Sequence, residues 1–406
     1  MDFQHSERSQ ALQAQVQQFL DEHVYPAEHE FEQHAAANRE QGEPFRTPAV
    51  LAGLKDTARR HGLWNLFLPD SRYGSGLSVL DYAPIAELSG RSAAIAPEAM
   101  NCSAPDTGNM ELLAMFASDD QVKQWLVPLL DAEIRSCFSM TEPAVASSDA
   151  TNIATTITPD GDDFVVNGRK WWSTGALRPE CKVAIVMGVS DPDGPRHARH
   201  SMILVPLDTP GVTIERSTTV YGYDDGPHGG HGVIHYDRVR VPAANLLGPQ
   251  GGGFMMAQAR LGPGRIHHCM RSLGMAERAL ELMCARVVSR TAFGKPIAEQ
   301  GVVREWIAES RLAINQARLL VLNAAWLIDT VGAEKARTEI AAIKVAAPRT
   351  ALFVVERAVQ AHGAAGVSSD TPLAAMWAGL RTLRLADGPD EVHLRSLARE
   401  ELRKIT

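Results

Sequence analysis

The hydrophobic positions change period twice along the chain. Up to about residue 135 they recur at helical spacing. Val16, Phe19, Leu20 and His23-Val24 form one stripe, and this pattern predicts a helix that ends near Pro26. Val122, Trp125, Leu126 and Leu129 line another helical face, and Gly62 to Gly76 is a loop rich in turn residues. From about 136 to 247 the texture turns to short apolar or β-branched runs. Phe164-Val165-Val166 leads into Asn167-Gly168, which predicts a hairpin turn. Lys182 to Val189, Ser201 to Leu207, Val212 to Glu215 and Val233 to Val241 read as further strands of an antiparallel sheet or small barrel. Beyond about 248 the helical spacing returns. Val303, Ile307, Ser310, Ile314, Ala317, Val321, Ala324 and Ile328 follow one another by fours and threes, the seam of a bundle helix that Gly332 ends. Pro348 is expected to break or kink the helix after it. The expectation is an α+β chain: an N-terminal α-helical domain over 1–135, a middle β domain over 136–247 and a C-terminal helical bundle over 248–406.

Composition narrows the function classes. The 406 residues are 45% hydrophobic and 22% charged, ordinary for a globular protein. A net charge of −8 argues against nonspecific nucleic-acid binding. The five cysteines, Cys102, Cys137, Cys181, Cys269 and Cys284, are scattered and form no CxxC pair, so buried free thiols are expected rather than a disulfide framework or a zinc site. The opening from Met1 to Arg8 lacks the basic and apolar stretches of a secretory leader, and no run of about 18 apolar residues occurs. A cytoplasmic protein without a membrane span is the expectation.

Several familiar sites are missing: the Walker A loop, the HExxH helix and the GxSxG elbow. Gly262-Pro263-Gly264-Arg265-Ile266-His267 fails the dinucleotide fingerprint at its last position and has no βαβ unit around it. His228, His231 and His235 sit close together in a Gly-rich stretch and read as a polar loop entering a strand, with no metal expected. More informative is Phe138-Ser139-Met140-Thr141-Glu142-Pro143-Ala144-Val145-Ala146-Ser147-Ser148-Asp149. Here a strand opens into a loop of hydroxyls and small residues. Such a loop offers N–H and O–H donors to a phosphate or a heteroaromatic edge, although a polar surface loop would look the same.

That segment resembles the flavin-binding signature of the acyl-CoA dehydrogenase family. Trp171-Trp172-Ser173-Thr174-Gly175 follows at the family's spacing. Arg290-Thr291-Ala292-Phe293-Gly294-Lys295 is similar to its R-x-x-F-G motif, and Gln360 to Gly366 to its Q-x-x-G-x-x-G motif. Leu385-Ala386-Asp387-Gly388-Pro389-Asp390-Glu391-Val392-His393 stands where the family carries its catalytic carboxylate and glycine. The likeness spans almost the whole chain and keeps the family's order of motifs. There are departures. One more residue lies between Pro143 and Asp149 than in the commonest pattern, the carboxylate is Asp rather than Glu, and Pro389 replaces Thr or Ser. The two loops together resemble the branch called members 10 and 11 in animals and its bacterial relatives.

The resemblance implies FAD, an acyl-CoA substrate and formation of a trans-2-enoyl-CoA. Asp387 would abstract the α-proton while the β-hydrogen leaves as hydride to the flavin N5. Base and flavin would have to face opposite sides of the Cα–Cβ bond. Read alone, Asp387 could equally be a helix-end acid or a partner for Arg381 or Arg384. The other position that bears a base in some relatives matches Gly264, which cannot serve. Phe138, Met140 and Thr141 would contact the flavin ring. Trp172 would pack on the ring, or be plain core, and Thr174 would hydrogen-bond its edge. Ser147 or Ser148 would sit near the pyrophosphate. Arg290, Phe293, Gln300, Gln360 and Gly363 would reach the adenosine-diphosphate end of a neighbouring subunit's FAD, and Glu391 is counted with the cofactor contacts. Ser148, Arg265 and Gly388 are the expected substrate contacts.

The same resemblance implies electron-transfer flavoprotein as acceptor and a homo-oligomer, dimer or tetramer. Ala386 stands where many relatives carry a bulky residue, which points toward long-chain, branched or 4-hydroxyacyl-CoA substrates. Two rivals remain. One is a flavin oxidase or monooxygenase of the same superfamily, similar to nitroalkane oxidase. The other is a non-catalytic CoA-binding or helical assembly protein.

Overall fold

The computed structural model of the protein describes residues 4–405, apart from the Pro263 side chain. Met1 to Phe3, the start of the segment read above for a leader, lie outside the described residues. The chain divides into two units. One comprises Met1–Tyr25, Leu77–Pro97 and Gly262–Thr406, and the other Pro26–Gly76 and Glu98–Leu261.

The first unit is helical. Glu7–Phe19, Val79–Gly90, Gly301–Val331, Arg337–His362, Leu373–Leu383 and Asp390–Arg403 join most of the long helix Gly253–Ser289. The predicted seam is present: Val303, Ser310, Ile314, Ala317, Val321 and Ala324 are buried, and Gly332 ends the helix at φ 86°. Leu280, Met283, Leu352, Val355 and Leu380 extend the same core. The helices Val79–Gly90 and Gly253–Ser289 approach backbone to backbone. A Cβ on Gly274 would lie 1.9 Å from the Glu87 carbonyl oxygen, so no side chain fits there.

Pro348 does not break its helix. Arg337–His362 runs through it, with Lys344, Val345, Ala347, Pro348, Ala351 and Leu352 all buried. Packing on this scale outweighs local propensity. Nor does the N-terminal helix end near Pro26. A π-helical turn over Leu20–Val24 links Glu7–Phe19 to Tyr25–Glu40, and the Tyr25 N–H reaches back to the Leu20 carbonyl. Pro26 then sits in the first turn of a new segment, where its missing N–H costs little. Val122–Leu126 makes the same turn just before Pro128.

The second unit carries the sheet. Its strands are β1 (Arg135–Ser139), β2 (Thr156–Asp160), β3 (Asp163–Thr174), β4 (Cys181–Val189), β5 (His200–Pro206), β6 (Val212–Thr218), β7 (His231–Pro242) and β8 (Leu246–Leu247). They run in the order β6-β7-β3-β2-β4-β5-β8, with β1 beside β4. Most pairs are antiparallel, but β1–β4 and the short β2–β4 contact are parallel, so the sheet is mixed. Val166, Val186, Ile203, Ile234 and Tyr236 fill its core.

The Asn167-Gly168 pair is not a hairpin turn. The turn falls after Asp160, which pairs with Asp163, while Asn167 and Gly168 form a bulge inside β3. A Cβ on Gly168 would meet the Thr155 hydroxyl at 2.3 Å, and the Asn167 side chain accepts from the Arg238 N–H at 2.7 Å. Tertiary contact has taken over a sequence that reads locally as a turn.

A buried ionic group holds the start of β1. Glu98 takes Arg135 at 2.6 Å, Lys55 at 2.8 Å and Arg178 at 3.2 Å, and Asp106 takes Arg135 at 3.4 Å. Burial alone would raise the Glu98 pKa, but Arg135, Arg178 and Lys55 hold it well below the carboxylate range. All five cysteines are free, four of them buried and Cys284 partly so. Among the described residues no helix is long and apolar enough to cross a membrane.

Candidate active site

In the second unit, β1 delivers Phe138 and then opens into the loop Met140 to Asp149. Glu142 pins this loop. Its carboxylate accepts from Lys170 Nζ at 2.8 Å and from the backbone N–H groups of Ala154 and Thr155 at 2.9 and 2.8 Å. Lys170 also donates to the carbonyls of Met140 and Met187, at 2.9 and 2.7 Å. Burial pulls the Lys170 ammonium down to about 8, against the charge and hydrogen bond of Glu142. Within the loop, the Ser147 hydroxyl accepts from the Glu142 N–H at 2.9 Å, whereas Ser148 is exposed.

The end of β3 comes alongside. The Trp171 N–H donates to the Thr141 carbonyl at 3.0 Å, and the Ser139 hydroxyl meets those of Ser173 and Tyr236 at 2.9 and 2.8 Å. Phe138, Met140 and Thr141 are thereby joined to Trp172 and Thr174. The β3–β7 register shifts between Lys170 and Ser173, and Trp172 takes φ 55° in this bulge. A left-handed conformation is costly for a large residue. It leaves the Trp172 indole 36% exposed, so Trp172 is not plain core. Thr174 is half-buried, with its hydroxyl 3.0 Å from His231 Nδ1. Arg260 lies over the Phe138 ring, its guanidinium carbon 4.1 Å from the ring centre.

In the first unit, Asp387 lies in the loop between Leu373–Leu383 and Asp390–Arg403. It takes φ 56° and Gly388 takes φ 101°. A Cβ on Gly388 would lie 3.0 Å from His393 Nε2, so glycine lets the histidine close on the loop. Two side chains grip the Asp387 carbonyl: Arg265 Nη2 at 3.2 Å and His393 Nε2 at 3.3 Å. Lys344, fully buried on the helix Arg337–His362, donates to the Leu383 carbonyl at 2.5 Å. Asp390 takes Arg349 and Arg384, each at 2.9 Å, so Arg384 is spent on Asp390. The Asp387 carboxylate itself faces His268 Nε2 at 3.6 Å. Burial, with the charges of Arg265 and Lys344, brings His393 down to about 4 and keeps it neutral. Arg265 is likewise lowered, by burial, against the pull of Asp387.

The remaining candidates lie elsewhere in the helical unit. Arg290 is exposed where Gly253–Ser289 ends. Phe293 is fully exposed at φ 51° with Gly294 at φ 81°, the tip of a hairpin between Thr291–Ala292 and Lys295–Pro296. Gln300 stands at the N-terminal boundary of Gly301–Val331, without a side-chain capping bond. Gln360 and Gly363 are exposed at the end of Arg337–His362, and Arg286 reaches the His362 carbonyl at 3.5 Å, which joins the two helix ends. A Cβ on Gly363 would meet nothing within 4 Å, nor would one on Gly264. Glu391 is exposed in the first turn of Asp390–Arg403, and Ala386 is exposed beside the candidate base.

Sequence reasoning passed over Glu142, Lys170, His268, Lys344 and His393. Glu142, Lys170, His268 and Lys344 reach their partners across the fold, so local spacing does not mark them, while His393 turns back six residues onto the Asp387 carbonyl. Of the clustered histidines, His235 is exposed, while His228 and His231 face Asp225 at 3.0 and 3.7 Å. Among the described residues no group of three or more His, Cys, Asp or Glu is placed to hold a metal.

Comparison with known proteins follows the same order along the chain. The N-terminal, middle and C-terminal domain models of acyl-CoA dehydrogenase match residues 6–133, 137–239 and 251–402. A Mycobacterium tuberculosis relative, named Probable acyl-CoA dehydrogenase FadE2, is 58% identical over 99% of this chain and 97% of its own length. Acyl-CoA dehydrogenase family member 11 of Rattus norvegicus is 54% identical over 98% of this chain, which spans about half (51%) of that longer protein. A solved Mycobacterium abscessus structure, provisionally assigned as an acyl-CoA dehydrogenase, superposes with a TM-score of 0.96 at 53% identity, covering 99% of this chain and 100% of the other.

Proposed function

Since the chain belongs to the acyl-CoA dehydrogenase family and is a flavin-dependent oxidoreductase, we propose that it converts an acyl-CoA to its trans-2-enoyl-CoA with Asp387 as the base. The observation that carries this reading is the way the Asp387 loop is held. Arg265 and His393 fix the backbone carbonyl, and Lys344 and Asp390 fix its flanks, while the carboxylate faces His268 Nε2 at 3.6 Å. A general base needs a position fixed in this way.

The residues of the second unit suit FAD. Trp172 offers an exposed ring at a strained bulge, Thr174 a hydroxyl beside it, and Met140 and Thr141 a loop locked by Glu142. FAD, when bound, supplies the acceptor for the β-hydride. Phe138, Met140, Thr141, Trp172 and Thr174 hold its ring. Ser148 takes the pyrophosphate, because the Ser147 hydroxyl is already used inside the loop. Arg290, Phe293, Gln300, Gln360 and Gly363 serve a neighbouring subunit's adenosine-diphosphate end. The exposure of Arg290, Phe293, Gln360 and Gly363 in the single chain supports this, as does the fit of a guanidinium to pyrophosphate. Glu391 is counted with the cofactor contacts. Asp387 takes the α-proton and holds it on its carboxylate. Arg265 and Gly388 bound the substrate side of the same loop.

Functionally we divide the chain as 1–135, 136–247 and 248–406. We assign electron-transfer flavoprotein as acceptor and a homo-oligomer as the working form. The open space beside Gly264 and the small side chain of Ala386 favour long-chain, branched or 4-hydroxylated acyl groups. The test is anaerobic flavin bleaching against a panel of acyl-CoAs, including 4-hydroxyacyl-CoAs. Rapid bleaching by one class, followed by slow reoxidation in air, is the expected result. No bleaching by any acyl-CoA overturns the reading, and rapid reoxidation makes the protein an oxidase.

A further inference from the structure

The Gly-rich segment Asp224 to His231 has no role in the reading above, yet it is closely built against Thr174. The Gly175 N–H donates to the Gly230 carbonyl at 2.9 Å, and the Leu177 N–H to the Gly229 carbonyl at 3.1 Å. Arg178 donates to the Pro227 carbonyl at 2.6 Å, which ties the segment to the buried ionic group around Glu98. Gly229 and Gly230 both have positive φ, and a Cβ on Gly230 would lie 2.7 Å from the Phe45 ring. No bulkier segment could approach so closely.

This packing sets His231 directly across from Thr174 in the β3–β7 ladder. His231 Nδ1 is 3.0 Å from the Thr174 hydroxyl, its Nε2 is 3.7 Å from Asp225 Oδ2, and its ring packs 5.1 Å from that of Trp172. Asp225, at φ 50°, also takes His228 Nδ1 at 3.0 Å. We propose that His231, oriented by Asp225, is a positioning residue that fixes the direction of the Thr174 hydroxyl proton at the flavin edge.

The histidine tautomer sets this direction. A carboxylate near Nε2 favours the proton on Nε2, which leaves Nδ1 as an acceptor. Burial lowers the His231 pKa, against the pull of Asp225 and with the charge of His228, so the ring is neutral at pH 7. The Thr174 O–H then donates to Nδ1, and the Thr174 oxygen turns its lone pairs outward. An outward acceptor suits the N–H that a flavin carries when reduced, and not the bare nitrogen of the oxidised ring. His231 therefore biases the site toward reduced flavin. The proposal rests on Thr174 lying at the flavin edge.

Two measurements test it. The first uses flavin-free protein: ¹⁵N NMR should show His231 Nδ1 unprotonated, and Asp225→Asn should move part of the proton onto it. A protonated Nδ1 in the parent overturns the proposal. The second is the two-electron flavin potential of FAD-loaded protein. His231→Leu and Thr174→Val should each weaken the preference for reduced flavin about tenfold, the loss of one hydrogen bond, or about 30 mV. His231→Asn, whose side-chain oxygen can stand where Nδ1 was, should stay within threefold of the parent. If His231→Leu does not fold, His231→Gln, whose amide reaches past that position, replaces it. A drop in Thr174→Val without one in the His231 variant overturns this proposal alone. No change in Thr174→Val overturns the placement of Thr174 at the flavin edge as well.

Discussion

Around Asp387 the cations are directed at backbone carbonyls. Arg265 and Lys344 grip the carbonyls of Asp387 and Leu383, and the neutral His393 adds a second contact to the former. Around Glu142 the donors converge on the carboxylate itself, with Lys170 and two backbone N–H groups sharing its oxygens. Both loops are held by buried polar groups, but the Glu142 carboxylate accepts three hydrogen bonds, whereas the Asp387 carboxylate faces His268 Nε2 at 3.6 Å. A base saturated with donors would have little tendency to take a proton. A carboxylate that only shapes a loop is best saturated, because a buried charge without partners is costly. The two loops thus set the proposed base apart from a carboxylate that shapes a loop.

Removing each carboxylate should expose this contrast, and the proposed base should give the larger effect. Asp387→Asn should retain FAD and fold, since the contacts that fix its loop are to the backbone. The rate of flavin reduction by acyl-CoA should fall by about 10²–10⁴-fold. Stopped-flow reduction of the variant at near-parental rate would place the base elsewhere.

Glu142→Gln should do the reverse. It leaves the Lys170 ammonium buried without its counter-ion, a change that typically costs about 3–5 kcal/mol. Denaturant unfolding should show the loss, and the variant should shed flavin. Whatever flavin stays bound should still be reduced by substrate at close to the parental rate. A variant as stable as the parent would mean that the pair does not hold the loop.

The same division explains what could be read from sequence. The seam from Val303 to Ala324 is legible because one helix face answers to one core. The candidate base and the flavin residues could be found only through motif resemblance, since Asp387 by itself reads as any helix-end acid. Pro26, Pro348 and Asn167-Gly168 misled for a single reason. Each is a strong local signal, overridden by a π turn, by a buried helix and by the close approach of Thr155. His231 was visible only as one of three neighbouring histidines. Its meaning comes from the cross-strand register with Thr174, which no local pattern contains.

A smaller change keeps the base and alters its surroundings. Ala386 is exposed next to Asp387, and Gly264 leaves open space on the helix that supplies Arg265. Ala386→Tyr should therefore penalise bulky or long acyl-CoAs by about 1–3 kcal/mol in kcat/KM through steric overlap. Short straight chains should lose much less. An equal loss on both substrate types would remove Ala386 from the determinants of specificity.

The smallest effect concerns the flavin side alone and is read from its pH dependence. Burial would raise the Asp225 carboxyl, but the charge and hydrogen bond of His228, with His231 and Arg178, bring it down from 3.8 to about 2. A depressed carboxylate pKa stabilises the fold above its unfolded value, and this is lost as pH falls through about 2. Burial works against the charged form of His228, but Asp225 raises its pKa above 6.5. A raised histidine pKa stabilises the fold below its unfolded value, and this is lost as pH climbs through the folded one. The pair therefore acts fully only between about pH 4 and 6.5. Asp225 is partly exposed, so solvent screening limits its contribution to about 1 kcal/mol. Asp225→Asn should lower stability most inside that window and progressively less on either side. A stability difference between Asp225→Asn and the parent that stays flat from pH 3 to 9 would remove the ionic Asp225–His228 contact from the forces that hold the segment.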